Sequence, residues 1–136
     1  QREQAAAWIS ETLHGNSEEV AKILGALQRN DEGAALYGLL GIDYNLGQIA
    51  ALRLGVLFES ENRFFEQLLQ AAPPEWSRLY STVMGFDSSS ILQRARAGLA
   101  LYRYTCRWLD DLIQPQHREI ISFALSLIPA EWEGED

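Results

Sequence analysis

Three arginines recur on one side of a long helical stretch and could bind an anion. Arg96, Arg103 and Arg107 are seven and four residues apart, a spacing that places them on one face of an α-helix. Guanidinium groups form two-point hydrogen bonds with phosphates and carboxylates. The alternative is that they form ion pairs with Asp110, Asp111 or acidic residues of neighbouring helices. The pattern predicts either an anion-binding edge or a set of structural ion pairs.

A second polar cluster lies within residues 58–65, between two apolar stretches. Glu59, Glu61, Asn62 and Arg63 stand there in close succession. Carboxylates and an amide at a helix junction could accept hydrogen bonds from the amines or hydroxyls of a polar or cationic small molecule. The same residue types are also typical of helix capping. The cluster therefore predicts a ligand-binding site, with plain capping as the alternative.

Catalytic and metal-binding motifs do not occur in the sequence. It has no glycine-rich phosphate loop, no HExxH and no GxSxG. His14 and His117 are far apart and have no metal-ligand spacing, so surface or capping roles are expected for both. Cys106 lies on an apolar stripe, which is typical of a packed thiol. No catalytic residue, metal site or cofactor is expected in this chain.

A long helix is needed to position the arginines, and residues 87–114 have the pattern for one. Apolar residues recur at steps of three and four on two sides of this stretch. A surface helix needs only one apolar stripe, so two stripes predict neighbours on both sides. The helix is expected over about 88–113, with Asp87 and Ser88 as caps. The first stripe comprises Ile91, Ala95, Leu99, Tyr102, Cys106, Leu109 and Ile113, and the second Leu101, Tyr104, Trp108 and Leu112.

The rest of the chain divides into shorter helical patterns. Gly15 and Gly41 are expected to end helices, since glycine is a common terminator. Asp31 is expected to cap a helix, and Pro74 and Pro115 to begin helices. Sustained strand-like alternation is absent. The sequence predicts a single all-α domain over 1–136, a bundle of about six to seven helices around the long central helix, with a mobile acidic tail at 130–136.

Composition restricts the partners. The net charge of −8 argues against binding to the nucleic-acid backbone, which needs a basic surface. It is compatible with a cationic small molecule or a basic protein. The sequence contains no apolar run of the roughly 20 residues that span a bilayer, so no membrane insertion is expected. A single cysteine allows no disulfide within the chain, and a cytoplasmic location is expected.

The order of these features resembles the C-terminal helical domain of aminoglycoside-type nucleotidyltransferases and their uncharacterised relatives. The resemblance covers most of the chain. In that family the helical domain packs beside a nucleotidyltransferase domain and shapes the cleft for the acceptor substrate. The segments that carry it are Trp8, Ala34-Ala35-Leu36-Tyr37, the apolar stretch 46–58, Ser60-Glu61-Asn62-Arg63-Phe64-Phe65, Pro74-Glu75-Trp76 and Leu99-Ala100-Leu101-Tyr102-Arg103-Tyr104-Thr105.

The chain departs from that family in its catalytic residues. The family's Gly-Ser motif and Asp-x-Asp metal-binding pair are absent, and Asp110 and Asp111 are adjacent on a predicted helix. The resemblance therefore implies an accessory or substrate-binding domain that is not catalytic alone and works with a nucleotidyltransferase catalytic domain. A polar or cationic acceptor would be held by residues of the two polar clusters. These are Glu59, Glu61, Asn62, Arg63, Tyr102, Arg103 and Arg107.

The alternative is a helical module for protein–protein interaction or homodimerisation, without ligand chemistry. It is suggested by a surplus of large apolar side chains, which cannot all be central in so small a domain. The residues that suggest it are Trp8, Leu54, Leu57, Trp108 and Trp132.

Overall fold

The computed structural model describes residues 2–56 and 63–132, and these ranges form a helical bundle. Short 3₁₀ helices span Asp110–Leu112 and Ala130–Trp132. Within the described ranges there is no strand, so the predicted all-α bundle is confirmed. The six α-helices are α1 (Arg2–Gln28), α2 (Glu32–Leu54), α3 (Phe64–Ala71), α4 (Pro74–Val83), α5 (Ile91–Trp108) and α6 (Pro115–Leu127).

The first two helices are longer than expected because two predicted breaks are absent. α1 continues through Gly15, and α2 continues through Gly41. The Asn16 side chain is buried, and its Nδ2 donates to the Gly41 carbonyl of the facing helix, at 3.4 Å. A glycine inside a helix costs only about 1 kcal/mol. Packing along the paired apolar faces of α1 and α2 outweighs that cost.

Glycine also lets the other helices come close to α2. A Cβ added at Gly38 would lie 2.7 Å from Cγ1 of Ile23 on α1, and one at Gly47 would lie 2.6 Å from the Tyr80 hydroxyl on α4. On α5, a Cβ at Gly98 would overlap Cδ1 of Leu39. α2 is therefore packed closely against α1 and α5, and the Tyr80 side chain of α4 reaches it at a distance that a larger residue at position 47 would not allow.

α5 is shorter than the predicted central helix but is buried as expected. It begins at Ile91 after Ser90, whose side chain and that of Gln93 form a reciprocal capping box. Asp87 and Ser88 therefore do not cap it. The helix ends at Trp108, and Asp110–Leu112 continues as a 3₁₀ turn. The first predicted stripe lies in the core except for the half-buried Ile91, whereas the second is only partly buried beyond Leu101.

The remaining helices follow their predicted start signals. Asp31 caps α2 by accepting a hydrogen bond from the Ala34 N–H, and Pro74 and Pro115 stand at the first residues of α4 and α6. On α6, Ile120 is exposed. None of the helices in the described ranges has the length and apolar character needed to cross a bilayer.

Candidate functional site

The predicted cluster at 58–65 is described only at its C-terminal end. Glu59, Glu61 and Asn62 lie outside the described residues, as does Leu57. Arg63 immediately precedes α3, and its Nε lies 3.3 Å from Oε1 of Glu66 in an exposed ion pair. The ligand-binding role of this cluster stays a prediction.

Tyr102 connects two helices inside the core. Its side chain is fully buried, and the hydroxyl donates a hydrogen bond of 2.7 Å to the carbonyl of Leu13 on α1. Burial, followed by the neighbouring Cys106, raises the pKa of the Tyr102 hydroxyl above its ordinary value. Burial also raises the pKa of Cys106, to about 12. In this conformation the hydroxyl of Tyr102 serves the α1–α5 contact.

The three arginines that the sequence places on one side of α5 have different surroundings. Arg103 is only 3% exposed, and its Nη1 donates to the carbonyls of Ile128 and Pro129 at 3.3 and 3.1 Å. The end of α6 therefore lies over Arg103, the middle one of the three arginines. The exposed side chains of Arg96 and Arg107 lie on either side of it. Arg103 anchors this chain segment through carbonyl oxygens, a partner that neither sequence interpretation named.

Arg96 borders a groove between α4 and α5. Its guanidinium lies 4.7 Å from the ring centroid of Trp132, in the 3₁₀ helix at 130–132. The groove has a volume of about 370 Å³ and a mixed lining, in which Leu79, Ala97 and Ala100 are apolar and Glu131 is acidic. Arg78 on α4 also lies on the rim of the groove. It forms an ion pair with Glu75, one turn earlier in α4, in which Nη2 lies 2.6 Å from Oε2. The groove thus combines an aromatic ring, two guanidinium groups and the carboxylate of Glu131.

Asp43 is a buried carboxylate that the sequence interpretation missed. It is 6% exposed, on the inner side of α2. Burial raises its pKa, while the Tyr44 backbone N–H and the charge of Arg94 act in the opposite direction. Burial and the charge of Asp43 also raise the pKa of Tyr80. The signal available in the sequence was a single acidic residue at a position that the helical period turns inward.

The outward side of α2 is apolar and exposed. Tyr37, Leu40 and Tyr44 are 82%, 56% and 69% exposed, at steps of three and four. At about 100° per residue, these positions and the exposed Gly41 lie on one face of the helix. Between Glu32 and Arg53 the only charged residue is Asp43, which is buried. We call Tyr37, Leu40, Gly41 and Tyr44 the α2 face.

A second exposed apolar face lies on α6, which a polar junction joins to α1. Ile120, Phe123 and Leu127 are exposed on α6. At the junction the rings of His14 and His117 stack with centroids 4.6 Å apart. The Ser10 hydroxyl lies 2.8 Å from His117 Nδ1 and accepts a hydrogen bond from the Gln114 N–H. The two histidines that looked unrelated in the sequence are therefore neighbours.

Comparisons with protein-family models, with characterised proteins and with solved structures found no match to this chain. The nucleotidyltransferase resemblance therefore stays a prediction. In the described part of the chain, no group of three or more histidine, cysteine or acidic side chains could hold a metal ion. The described residues thus offer the groove beside Arg96, a larger cavity of about 620 Å³ whose lining includes Arg2, Arg53 and Asp111, and two exposed apolar faces.

If Arg103 anchors the end of α6, its loss should cost much more stability than loss of Arg107. Arg103→Met removes a charged donor from two carbonyls and should lower the free energy of unfolding by about 2–4 kcal/mol. Arg107→Met, at an exposed position, should cost about 1 kcal/mol or less. Urea unfolding monitored by circular dichroism measures both. Equal losses in the two variants would contradict the anchoring role.

The raised pKa of Asp43 predicts a pH dependence of stability with a definite sign. The folded state binds this proton more tightly than the unfolded state, so unfolding free energy should fall as pH rises from about 4 through the folded pKa. Asp43→Asn should remove this fall and be the more stable protein at pH 7. The measurement is urea unfolding of both proteins across this pH range.

Asp87→Asn is the matched control for Asp43→Asn. Hydrogen bonds from Ser89 and Thr82 lower the pKa of the exposed Asp87, so its contribution has the opposite sign. It is present above the unfolded pKa and is lost as pH falls through the folded pKa. A wild-type profile that Asp43→Asn leaves unchanged would refute the assigned cost of burying Asp43.

Proposed function

We propose that this chain is an accessory helical domain, not catalytic alone, that works by docking the α2 face onto another protein surface. The observation that carries the proposal is the exposure of Tyr37, Leu40 and Tyr44 on a helix whose outward side is uncharged between Glu32 and Arg53. An apolar patch of this kind on a small domain is typical of an interaction site.

The composition of α2 supports the same proposal. A helix that packs on a domain surface usually has an apolar stripe on one side and charged residues on the other. α6 has charged residues on its exposed side only at its start, at Arg118 and Glu119. α2 is apolar on its inner and outer sides alike, a composition expected of a helix covered on both sides. The bundle covers the inner side, and the proposed partner covers the outer one.

The resemblance to the helical domain of nucleotidyltransferases fits this role. There the helical domain packs beside a catalytic domain, so a docking face is required. The docking role is the same whether the α2 face is covered by a catalytic domain of that type, by a homodimer partner or by another protein. A cytoplasmic setting, expected from the single cysteine, belongs to the same proposal.

A photoreactive amino acid placed at position 40 tests the docking proposal. p-Benzoylphenylalanine at Leu40, irradiated in cells of the native host, should give one main adduct, identified by mass spectrometry. The same amino acid at Gln116, an exposed polar position at the start of α6, is the control and should give no comparable adduct. Equal and diffuse labelling from both positions would show that the α2 face has no partner.

The groove beside Arg96 supports a second candidate function, binding of a polar ligand with an anionic group. Its volume of about 370 Å³ lies within the range of small-molecule sites. Arg78 and Arg96 on its rim could pair with a phosphate or carboxylate, and Trp132 offers a ring for stacking. Because Arg78 is already paired with Glu75 and Glu131 also lines the groove, Arg96 is the main group that favours an anionic ligand over a cationic one.

Thermal unfolding separates the two ligand classes. A nucleoside triphosphate at 100 times its Kd should stabilise the fold by about 2.7 kcal/mol, which raises the Tm. Arg96→Ala should abolish that shift, and Arg107→Ala should retain it. Aminoglycosides should give the larger shift only if the cationic acceptor predicted for Glu59, Glu61 and Asn62 is correct. A Tm unaffected by either class at millimolar concentration would exclude both.

A further inference from the structure

We infer that a small zwitterion with an apolar body binds in the cavity that includes Arg2, Arg53 and Asp111. An apolar amino acid, or a short apolar peptide with free ends, has this chemistry. The cavity lies between the start of α1, the end of α2 and the 3₁₀ helix at Asp110–Leu112. It contains no residue of the α2 face and shares no lining residue with the groove beside Arg96, so the inference goes beyond both proposed functions.

Helical period and small side chains together build the cavity. α1 contributes Arg2, Ala5, Ala6 and Ile9 to its wall. These positions are three and four residues apart, so they lie on one face of the first turns of the helix. The two alanines leave space that larger side chains would fill. The last turn of α2 and the 3₁₀ helix that follows α5 form the other walls.

The cavity is apolar at its most buried part and charged at its rim. Ile9 is only 1% exposed, and Leu112 is half-buried against the core. Arg2, Arg53 and Asp111 are exposed. The volume of about 620 Å³ lies within the range of small-molecule sites, which usually combine apolar walls with a few polar groups that orient the ligand.

The charged groups of the rim are not paired with one another. Within residues 2–56 and 63–132, no hydrogen bond or ion pair involves the side chains of Arg2, Arg53 or Asp111. The neighbouring Asp110 differs, because its Oδ1 lies 2.8 Å from Nη1 of Arg118. Both signs of charge therefore line one cavity without neutralising each other, and a ligand that carries both signs would pair with each.

A zwitterion matches these charges better than a simple ion does. The guanidinium groups of Arg2 and Arg53 suit a carboxylate, with which they form charge-assisted hydrogen bonds. The positive end of the α1 dipole also favours an anionic group near Arg2. The Asp111 carboxylate suits an ammonium group and would repel a ligand that is only anionic. A ligand that is only cationic would be repelled by both arginines.

The walls between the charged groups favour an apolar body. Leu52 is 46% exposed at the cavity and, with Ile9 and Leu112, offers apolar surface that a ligand would remove from water. A free amino acid and a short peptide share the required chemistry of one carboxylate, one ammonium and an apolar side chain. The experiment below distinguishes these two sources.

Isothermal titration calorimetry of the 136-residue chain with leucine and leucyl-leucine tests the inference. At least one of them should bind, and tighter binding of the dipeptide would assign the site to short peptides rather than to free amino acids. The N-acetyl form of the tighter ligand lacks the ammonium, and its amide lacks the carboxylate. Each should bind at least about tenfold more weakly, because each loses one charge-assisted contact.

Two variants assign the charged ends of the ligand to residues. Asp111→Asn should weaken binding of the free ligand about tenfold but leave the N-acetyl form unchanged, since that form has no ammonium to lose. Arg53→Met should weaken the free and N-acetyl forms alike and leave the amide unchanged. Both positions are exposed, and circular dichroism checks that the variants remain helical.

Arg29→Met is the matched control, because it removes an exposed arginine that does not line the cavity. It should leave the affinity for the free ligand unchanged. A chain that binds neither leucine nor leucyl-leucine at millimolar concentration overturns the inference, as do blocked forms that bind as tightly as the free ligand. Binding that Arg53→Met and Asp111→Asn leave intact, or that Arg96→Ala abolishes, would place the ligand elsewhere and equally overturn it.

Discussion

The close approach of α2 to its neighbours is the constraint on which the rest of the bundle depends. Gly38 and Gly47 on α2 and Gly98 on α5 leave no room for a Cβ, so α1 and α5 pack directly against α2, and the Tyr80 side chain of α4 reaches its backbone. Interiors are packed at crystal-like density, and a gap at any of these contacts would forfeit dispersion energy along the whole pair of helices. Three small residues therefore allow one helix to contact most of the domain.

This packing also produces the two unusual features of α2. Helices crowd its inner side, and Asp43 is carried into that side by the helical period, where burial opposes its ionisation. The outer side keeps Tyr37, Leu40 and Tyr44 in solvent. An apolar helix with one side uncovered exposes surface that association can bury. The docking proposal follows from this imbalance between the two sides of one helix.

The arginines of α5 show how tertiary contacts can divide one sequence pattern. Periodicity correctly places Arg96, Arg103 and Arg107 on one side of the helix. The carbonyls at the end of α6 then meet Arg103, Trp132 lies on Arg96, and Arg107 stays exposed. Helical spacing says which residues share a side, but it contains no information about which segment returns from later in the chain to cover part of it. The groove beside Arg96 arises from that return.

The sequence by itself determined the all-α class, the capping of α2 by Asp31, the proline starts of α4 and α6, and the burial of most of α5, because these depend on local propensity and period. It failed at Gly15 and Gly41, where packing between α1 and α2 outweighs a local cost of about 1 kcal/mol. Only the tertiary structure decided that Asp43 is buried, that His14 stacks on His117, and that Tyr37, Leu40 and Tyr44 face solvent. The sequence of an apolar helix has the same period whichever of its sides is buried. The helices that pack against it determine which side that is.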